Sequence, residues 1–171
     1  NSYGFRPGRN CHEALKQIND LVTFQPVNHI VEADIRKFFD KVPHNKMLMC
    51  LEVRIKDSTM LNLIEKFLKA GYVDNSELIK TAEGMPQGSI LSPMLSNIFL
   101  HYVLDLWFEK IVKKRTRGYC EIIRYADDFL CLVRYKEDAI NIEKALKNRF
   151  AKFGLVIHPE KSRNISFGRF E

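Results

Sequence analysis

A chain of 171 residues, 46% of them hydrophobic, is long enough to bury one sizeable core. Lys and Arg outnumber Asp and Glu by 27 to 21, a net charge of +6 that suits a polyanionic partner without requiring one. The composition excludes a membrane-spanning segment, which needs about 18 uncharged apolar residues in a row: the longest candidate, 90–108, contains His101 and Asp105 and reads as a buried helix. No signal peptide opens the chain, and Asn1 is not a natural start, so a longer native product is expected. The four cysteines, Cys11, Cys50, Cys120 and Cys131, form no CxxC pair and lie in apolar surroundings. They are expected to be reduced core thiols of a cytosolic protein, with no zinc site.

There are no repeats, low-complexity tracts or flexible linkers, so one unit is expected. Asn10 and Glu13 have the spacing of a capping box, opening a helix whose apolar face is Ala14, Leu15, Ile18, Leu21 and Val22. Strict alternation over 29–35 predicts a strand, with Val31, Ala33 and Ile35 on one face and Ile30, Glu32 and Asp34 on the other. Helices follow over 45–55 and 58–70, the second closed by Gly71. A short strand over 78–81 leads into the loop Gly84-Met85-Pro86-Gln87-Gly88. Ser92-Pro93 starts a long helix with the stripe Leu95, Ile98, Phe99, Tyr102, Val103, Leu106 and Trp107. Strands over 119–125 and 129–133 form a hairpin across Ala126-Asp127-Asp128. A helix over 137–153 and an extended pair, 155–158 with 164–167, complete the chain. Helices interleaved with hairpin-linked strands predict an α+β fold, an antiparallel sheet backed by helices.

Asp127 and Asp128 are the sharpest chemical feature. Adjacent acids at a turn are common, because Asp tolerates turn backbones. Here five apolar residues, Phe129 to Val133, follow at once, placing the pair at the edge of a buried sheet. Desolvating two neighbouring carboxylates is unfavourable unless a cation compensates them. Asp34 ends the alternating strand, and if that strand lies beside the hairpin the acids converge. Three carboxylates at one spot suit two Mg²⁺ ions about 4 Å apart that clamp an in-line phosphoryl transfer.

The stretch Tyr125-Ala126-Asp127-Asp128 reads YADD, and it comes in order with DIRKFF from Asp34, GMPQGSILSPMLSNIF from Gly84 and FGLVIHPEKS from Phe153, with YGFRPGRNCHEAL upstream from Tyr3. Together these motifs resemble the reverse transcriptases, and SYGFRPGR and HYVLDLWFEK most resemble those encoded by group II introns, the maturases. Retron, CRISPR-associated and diversity-generating relatives share the core motifs. The resemblance implies a polymerase palm with part of the fingers: a single fragment over 1–171, with a fingers-side segment over about 1–30 and a palm with finger insertions over about 28–171, lacking thumb and maturase regions.

It also implies roles. Asp34 and Asp127 match the metal-binding aspartates, with the backbone carbonyl of Ile35 as a further ligand, and Asp128 matches their supporting partner. Phe39 matches the steric gate against a ribose 2′-hydroxyl, with Phe38 in the core and backbone amides near Lys37 and Phe38 meeting the triphosphate. Gln87 and Lys161 match nucleotide-site residues. Arg6, Arg9, Tyr125, Pro86 and Gly88 fall where template and primer are contacted; solvated arginines, a generic polar turn at Gln87 and a surface Lys161 are the plainer readings. The implied function is RNA-directed DNA polymerisation on an RNA template (intron RNA), extending a DNA or RNA primer with dNTPs and two Mg²⁺ ions, for which Mn²⁺ substitutes. The full-length protein is expected to assist intron splicing and mobility in the bacterial cytoplasm, with the fragment inactive alone and a homodimer left open. A splicing factor with a vestigial site is the rival of a different class, and an RNA-templated RNA polymerase is disfavoured by Phe39.

Overall fold

In the computed structural model, residues 1–70, 72–74, 77–79, 83–85 and 89–166 are described. The expectations placed on Gly71, Thr81, Pro86, Gln87, Gly88 and Phe167 lie outside those residues. Helix α1, Cys11–Phe24, starts at Asn10, whose Oδ1 accepts from the Glu13 amide at 2.9 Å. The Glu13 carboxylate turns to Arg9 at 3.7 Å, so a simple N-cap stands where a full capping box was expected.

The alternating segment forms β1, His29–Ala33, two residues shorter than expected. Helices α2, Phe38–Lys41, α3, His44–Glu52, and α4, Ser58–Lys69, follow. Asp57 caps α4 by accepting from the Thr59 amide at 2.8 Å. A separate antiparallel hairpin pairs β2, Tyr72–Asp74, with β3, Glu77–Ile79. The long helix begins as α5, Ser92–Leu100, with Pro93 in its first turn. It then passes through two π-helical segments, His101–Asp105 and Phe108–Val112, before the last turn α6, Lys113–Arg115.

Strands β4, Cys120–Tyr125, and β5, Asp128–Val133, form the expected hairpin, with Tyr125 opposite Asp128. Helix α7 spans Lys136–Ala151 and β6 spans Arg163–Ser166. The sheet has the order β4-β5-β1-β6, and all its pairings are antiparallel. The α+β expectation holds.

The two faces of the sheet are covered differently. Val31, Ala33, Phe129, Cys131 and Val133 point into the main core, which takes Ala139, Ile142, Leu146 and Phe150 from α7 and Leu95, Phe99 and Val103 from the long helix. The opposite face packs Ile123 and Leu132 against Ala14 of α1 together with Tyr3 and Val27. The α1 side is the smaller cluster.

Two expectations are corrected. Segment 155–158 and the described part of 164–167 do not pair with each other: β6 pairs with β1, and Ile157 bridges Ile35 two residues beyond β1. Cys11 is exposed at the start of α1, while Cys50, Cys120 and Cys131 are buried free thiols. Burial pushes the Cys120 thiol up to about 12, which makes it an inert packing group.

The helical stripe also shifts. Leu100, Leu104, Phe108 and Val112 are buried, in steps of four residues, whereas Leu106 and Trp107 are only half-buried. The expected stripe assumed 3.6 residues per turn; the π segments widen the turn and carry the core-facing line one residue further along.

Candidate active site

The site is built where β1, the β4–β5 hairpin and the segment around Ile157 meet. Ala33 pairs with Phe129, so continuing the register sets Asp34 beside Asp128 and Ile35 beside Asp127. The Ile35–Ile157 bridge is closed by the Arg36 amide donating to Val156 O at 2.9 Å and the His158 amide donating to Asp34 O at 2.8 Å. The N–H and C=O of Ile35 take no part in that bridge, and in extended backbone they point the other way, toward the hairpin. The Ile35 side chain is buried on the core face.

The acids sense one another. Burial raises the Asp127 carboxyl above its ordinary value, and the charges of Asp128 and Asp34 raise it further. A bond from its own backbone amide and the Arg124 guanidinium oppose the rise. Asp34 has the Lys161 ammonium 3.4 Å from its Oδ2, and its amide donates to Ser162 Oγ at 3.3 Å. Lys161 is therefore at the carboxylates, its side chain still mostly exposed.

Among the described residues, no three His, Cys, Asp or Glu side chains are arranged to hold a metal ion by themselves. The donor set is nonetheless all hard oxygen, with neighbouring carboxylates and the Ile35 carbonyl facing the hairpin. That suits Mg²⁺, which commonly takes one or two carboxylates and completes its shell with water and substrate phosphates.

The neighbouring wall carries Phe38 and Phe39. Phe38 is buried and meets Phe39 edge-on, with ring centroids 5.4 Å apart. Phe39 is only half-buried, so the two rings divide as the sequence implied, Phe38 in the core and Phe39 at its margin. Lys37 adopts the left-handed conformation at φ 48° before α2. The segment Glu83 to Met85 is stitched to this turn: the Met85 amide donates to Phe39 O at 2.6 Å and the Gly84 amide to Val42 O at 2.8 Å. Gly84 sits at φ 91°, and a Cβ there would lie 2.7 Å from Asp40 O, so only glycine fits. His44, buried and in contact with Gly84 O at 2.6 Å, completes the joint and had no signal in the sequence.

Of the basic residues, Arg6 donates to Ser2 O at 3.3 Å and lines a groove of about 510 Å³ between the N-terminal segment, α3 and α5. Arg9 lies over the Tyr3 ring at 5.2 Å and beside Glu13. Tyr125 is exposed next to the acids.

Sequence reasoning missed the support beneath the hairpin. Arg124 is 2% exposed. Its Nε and one terminal nitrogen donate to Asp105 Oδ1 and Oδ2 at 2.8 and 2.7 Å, and the other terminal nitrogen donates to Asn97 Oδ1 at 2.9 Å and Ala126 O at 2.7 Å. The available signal was an arginine at an inward-facing strand position, which a buried sheet tolerates only when it is paired. Breaking such a buried pair typically costs about 3–5 kcal/mol.

The fold occurs in solved telomerase structures. The apo telomerase of Candida tropicalis truncated from its C-terminal domain superposes with a TM-score of 0.73 at 17% identity, covering 99% of this chain and 36% of that one. The likeness establishes the fold. The reverse transcriptase (RNA-dependent DNA polymerase) family matches residues 1–167. The chain belongs to the reverse transcriptase family. The group II intron-encoded protein LtrA of Lactococcus lactis subsp. cremoris is 49% identical over 109 residues, 61% of this chain and 18% of that protein. A putative COX1/OXI3 intron 2 protein of Saccharomyces cerevisiae is 43% identical over 109 residues, 63% of this chain and 12% of that protein. The group II intron resemblance of the motifs is thus met by intron-encoded relatives, of which this reverse transcriptase chain spans less than a fifth.

The raised Asp127 carboxyl has a consequence for stability. An acid raised in the folded state is easier to protonate there than in the unfolded chain, so its ionisation opposes folding. That cost is absent at low pH, grows as pH rises through the ordinary carboxylate range, and is complete above the raised value. Asp127→Asn should therefore raise the melting temperature of the metal-free protein by a few degrees near neutral pH, with the gain vanishing near about pH 3. Thermal unfolding in chelator at both pH values checks this, and a variant no more stable at neutral pH would contradict it.

Proposed function

We propose that this chain is the palm, with part of the fingers, of an RNA-directed DNA polymerase of the group II intron type, acting on RNA template, primer and dNTPs. The observation that carries the reading is the strand register that sets Asp34 and Ile35 beside Asp128 and Asp127, acids far apart in sequence. Repelling carboxylates at the end of a sheet cost stability, and a cation site is the function that uses them.

In this reading Asp34, Asp127 and the Ile35 carbonyl would hold two Mg²⁺ ions, with Asp128 beside them; Mn²⁺ would substitute. Bound there, the ions lower the barrier to in-line attack of a primer 3′-hydroxyl by stabilising charge on attacking and leaving oxygens. Lys161 keeps Asp34 neutralised in the free protein and would turn to the triphosphate when substrate arrives. The amides of the Lys37–Phe38 turn would meet the phosphates, and Phe39 would exclude a 2′-hydroxyl. Gln87, with Pro86 and Gly88, would complete the nucleotide pocket on the loop anchored by Gly84. Arg6 and Arg9 would contact template phosphates, and Tyr125 the primer end. Phosphate contacts of this kind give salt-dependent, sequence-tolerant binding. The full-length protein would also act on its intron RNA in splicing and mobility, in the bacterial cytoplasm. No helix among the described residues is long and apolar enough to cross a membrane.

The test is primer extension on an RNA template by the full-length protein with Mg²⁺, with chelator as control. Chelator-sensitive incorporation of dNTPs is expected. Tight RNA binding without extension would favour a splicing factor whose polymerase site is idle.

A further inference from the structure

We infer that Arg124 is a positioning residue for the polymerase site, holding the Ala126–Asp127 peptide so that Asp127 is aimed at its partners. The inference rests on the assignment of Asp34 and Asp127 as the reacting centre. Ala126 is the first residue of a two-residue turn and has φ 56°, a conformation that such turns usually give to glycine. An alanine stays there only when its surroundings hold it.

Two groups hold it from opposite sides. The Arg124 guanidinium donates to Ala126 O at 2.7 Å, and that oxygen belongs to the planar peptide whose nitrogen is that of Asp127. Fixing this plane fixes where the Asp127 side chain leaves the backbone. From the other side, Gly4 approaches so closely that a Cβ would stand 2.4 Å from the Ala126 nitrogen. Asn97 ties both supports together, accepting from Arg124 at 2.9 Å and donating to Gly4 O at 2.8 Å.

The long helix is shaped to the same end. Asp105 follows Asn97 by eight positions, which on an ideal α-helix would leave them about 80° apart around the axis. The π-helical segment His101–Asp105 underwinds the helix and reduces that offset, so both side chains reach one guanidinium. π segments often mark functional sites, and this one serves a carboxylate that touches no substrate.

Arg124→Lys keeps the charge but cannot serve a bidentate carboxylate, Asn97 and the Ala126 carbonyl together. In the full-length protein it should lower kcat for dNTP incorporation about 100-fold, the usual effect of a misplaced reacting group, with dNTP KM and primer–template affinity within about threefold. Asp105→Asn and Asn97→Ser, which leave the arginine in place, should lower kcat by smaller factors in the same pattern. Leu146→Ala, on the core-facing side of α7, is the control: it destabilises the fold and should leave kcat per folded molecule unchanged. A folded Arg124→Lys enzyme with wild-type kcat overturns the inference, as does a kcat loss in Leu146→Ala equal to that of the bracing variants. If Arg124→Lys does not fold, wild-type kcat in both Asp105→Asn and Asn97→Ser overturns it. Asp127→Ala run alongside separates the two claims: if it still extends primers, the site assignment has failed, whereas its loss beside fully active bracing variants removes the bracing alone.

Discussion

Asp127→Ala and Asp34→Ala in the full-length protein should each lower RNA-templated DNA synthesis by at least about 1,000-fold, since a lost metal ligand removes several kcal/mol of transition-state stabilisation and each 1.36 kcal/mol is tenfold in rate. RNA affinity should change little, because it rests on distributed Lys and Arg contacts to phosphates that acids do not supply. Removing an acid makes the site less negative and so favours phosphate. Asp34→Ala has a second effect: it frees Lys161 from its partner at 3.4 Å, so this variant should bind RNA at least as well as the wild type. Primer extension and RNA titration on the same preparations, at one stated salt concentration, provide the comparison. Extension at the wild-type rate would reduce these aspartates to turn and strand-end residues.

The second large effect concerns the sugar. Phe39→Val should raise incorporation of ribonucleotides relative to deoxynucleotides by about 10–100-fold, the range that a change of a few methylene-sized groups in a pocket produces. The ring is held for such a task. Phe38 grips one edge of it from the core at 5.4 Å, and the Met85 amide bonds to the Phe39 carbonyl at 2.6 Å. Paired extension assays with rNTPs and dNTPs measure the ratio. An unchanged ratio would make Phe39 a packing residue like its neighbour.

The acids of the hairpin, the acid closing the alternating strand and the aromatic pair stood out because chemistry restricts the residue types that can stand there. Two acids before five apolar residues, or strict alternation ending in Asp34, leave few readings. What was not legible depends on partners distant in sequence or on departures from ideal periodicity. The stripe of the long helix was misread at Leu106 and Trp107 because π turns have no signature in hydropathy. The partner of 155–158 was misassigned because β1 takes β6 on one side and its extension takes Ile157, a choice made by tertiary packing. Gly4, Asn97, Asp105 and Arg124 are scattered over the N-terminal segment, the long helix and β4, and only the fold reveals that they form one support.

The strand order β4-β5-β1-β6 also governs when the site can exist during synthesis. The β4–β5 hairpin is local and can zip as soon as its residues are made, within microseconds. Strand β1 must wait: its partner Phe129 lies about a hundred positions after Ala33, and closing so long a loop is a slow, late step. Asp34 and Asp127 therefore come together only when β1 docks between β5 and β6. Asp34 therefore has neither Asp127 nor Asp128 beside it until β5 has been made, so the docking of β1 on β5 and the assembly of this acid cluster are one event.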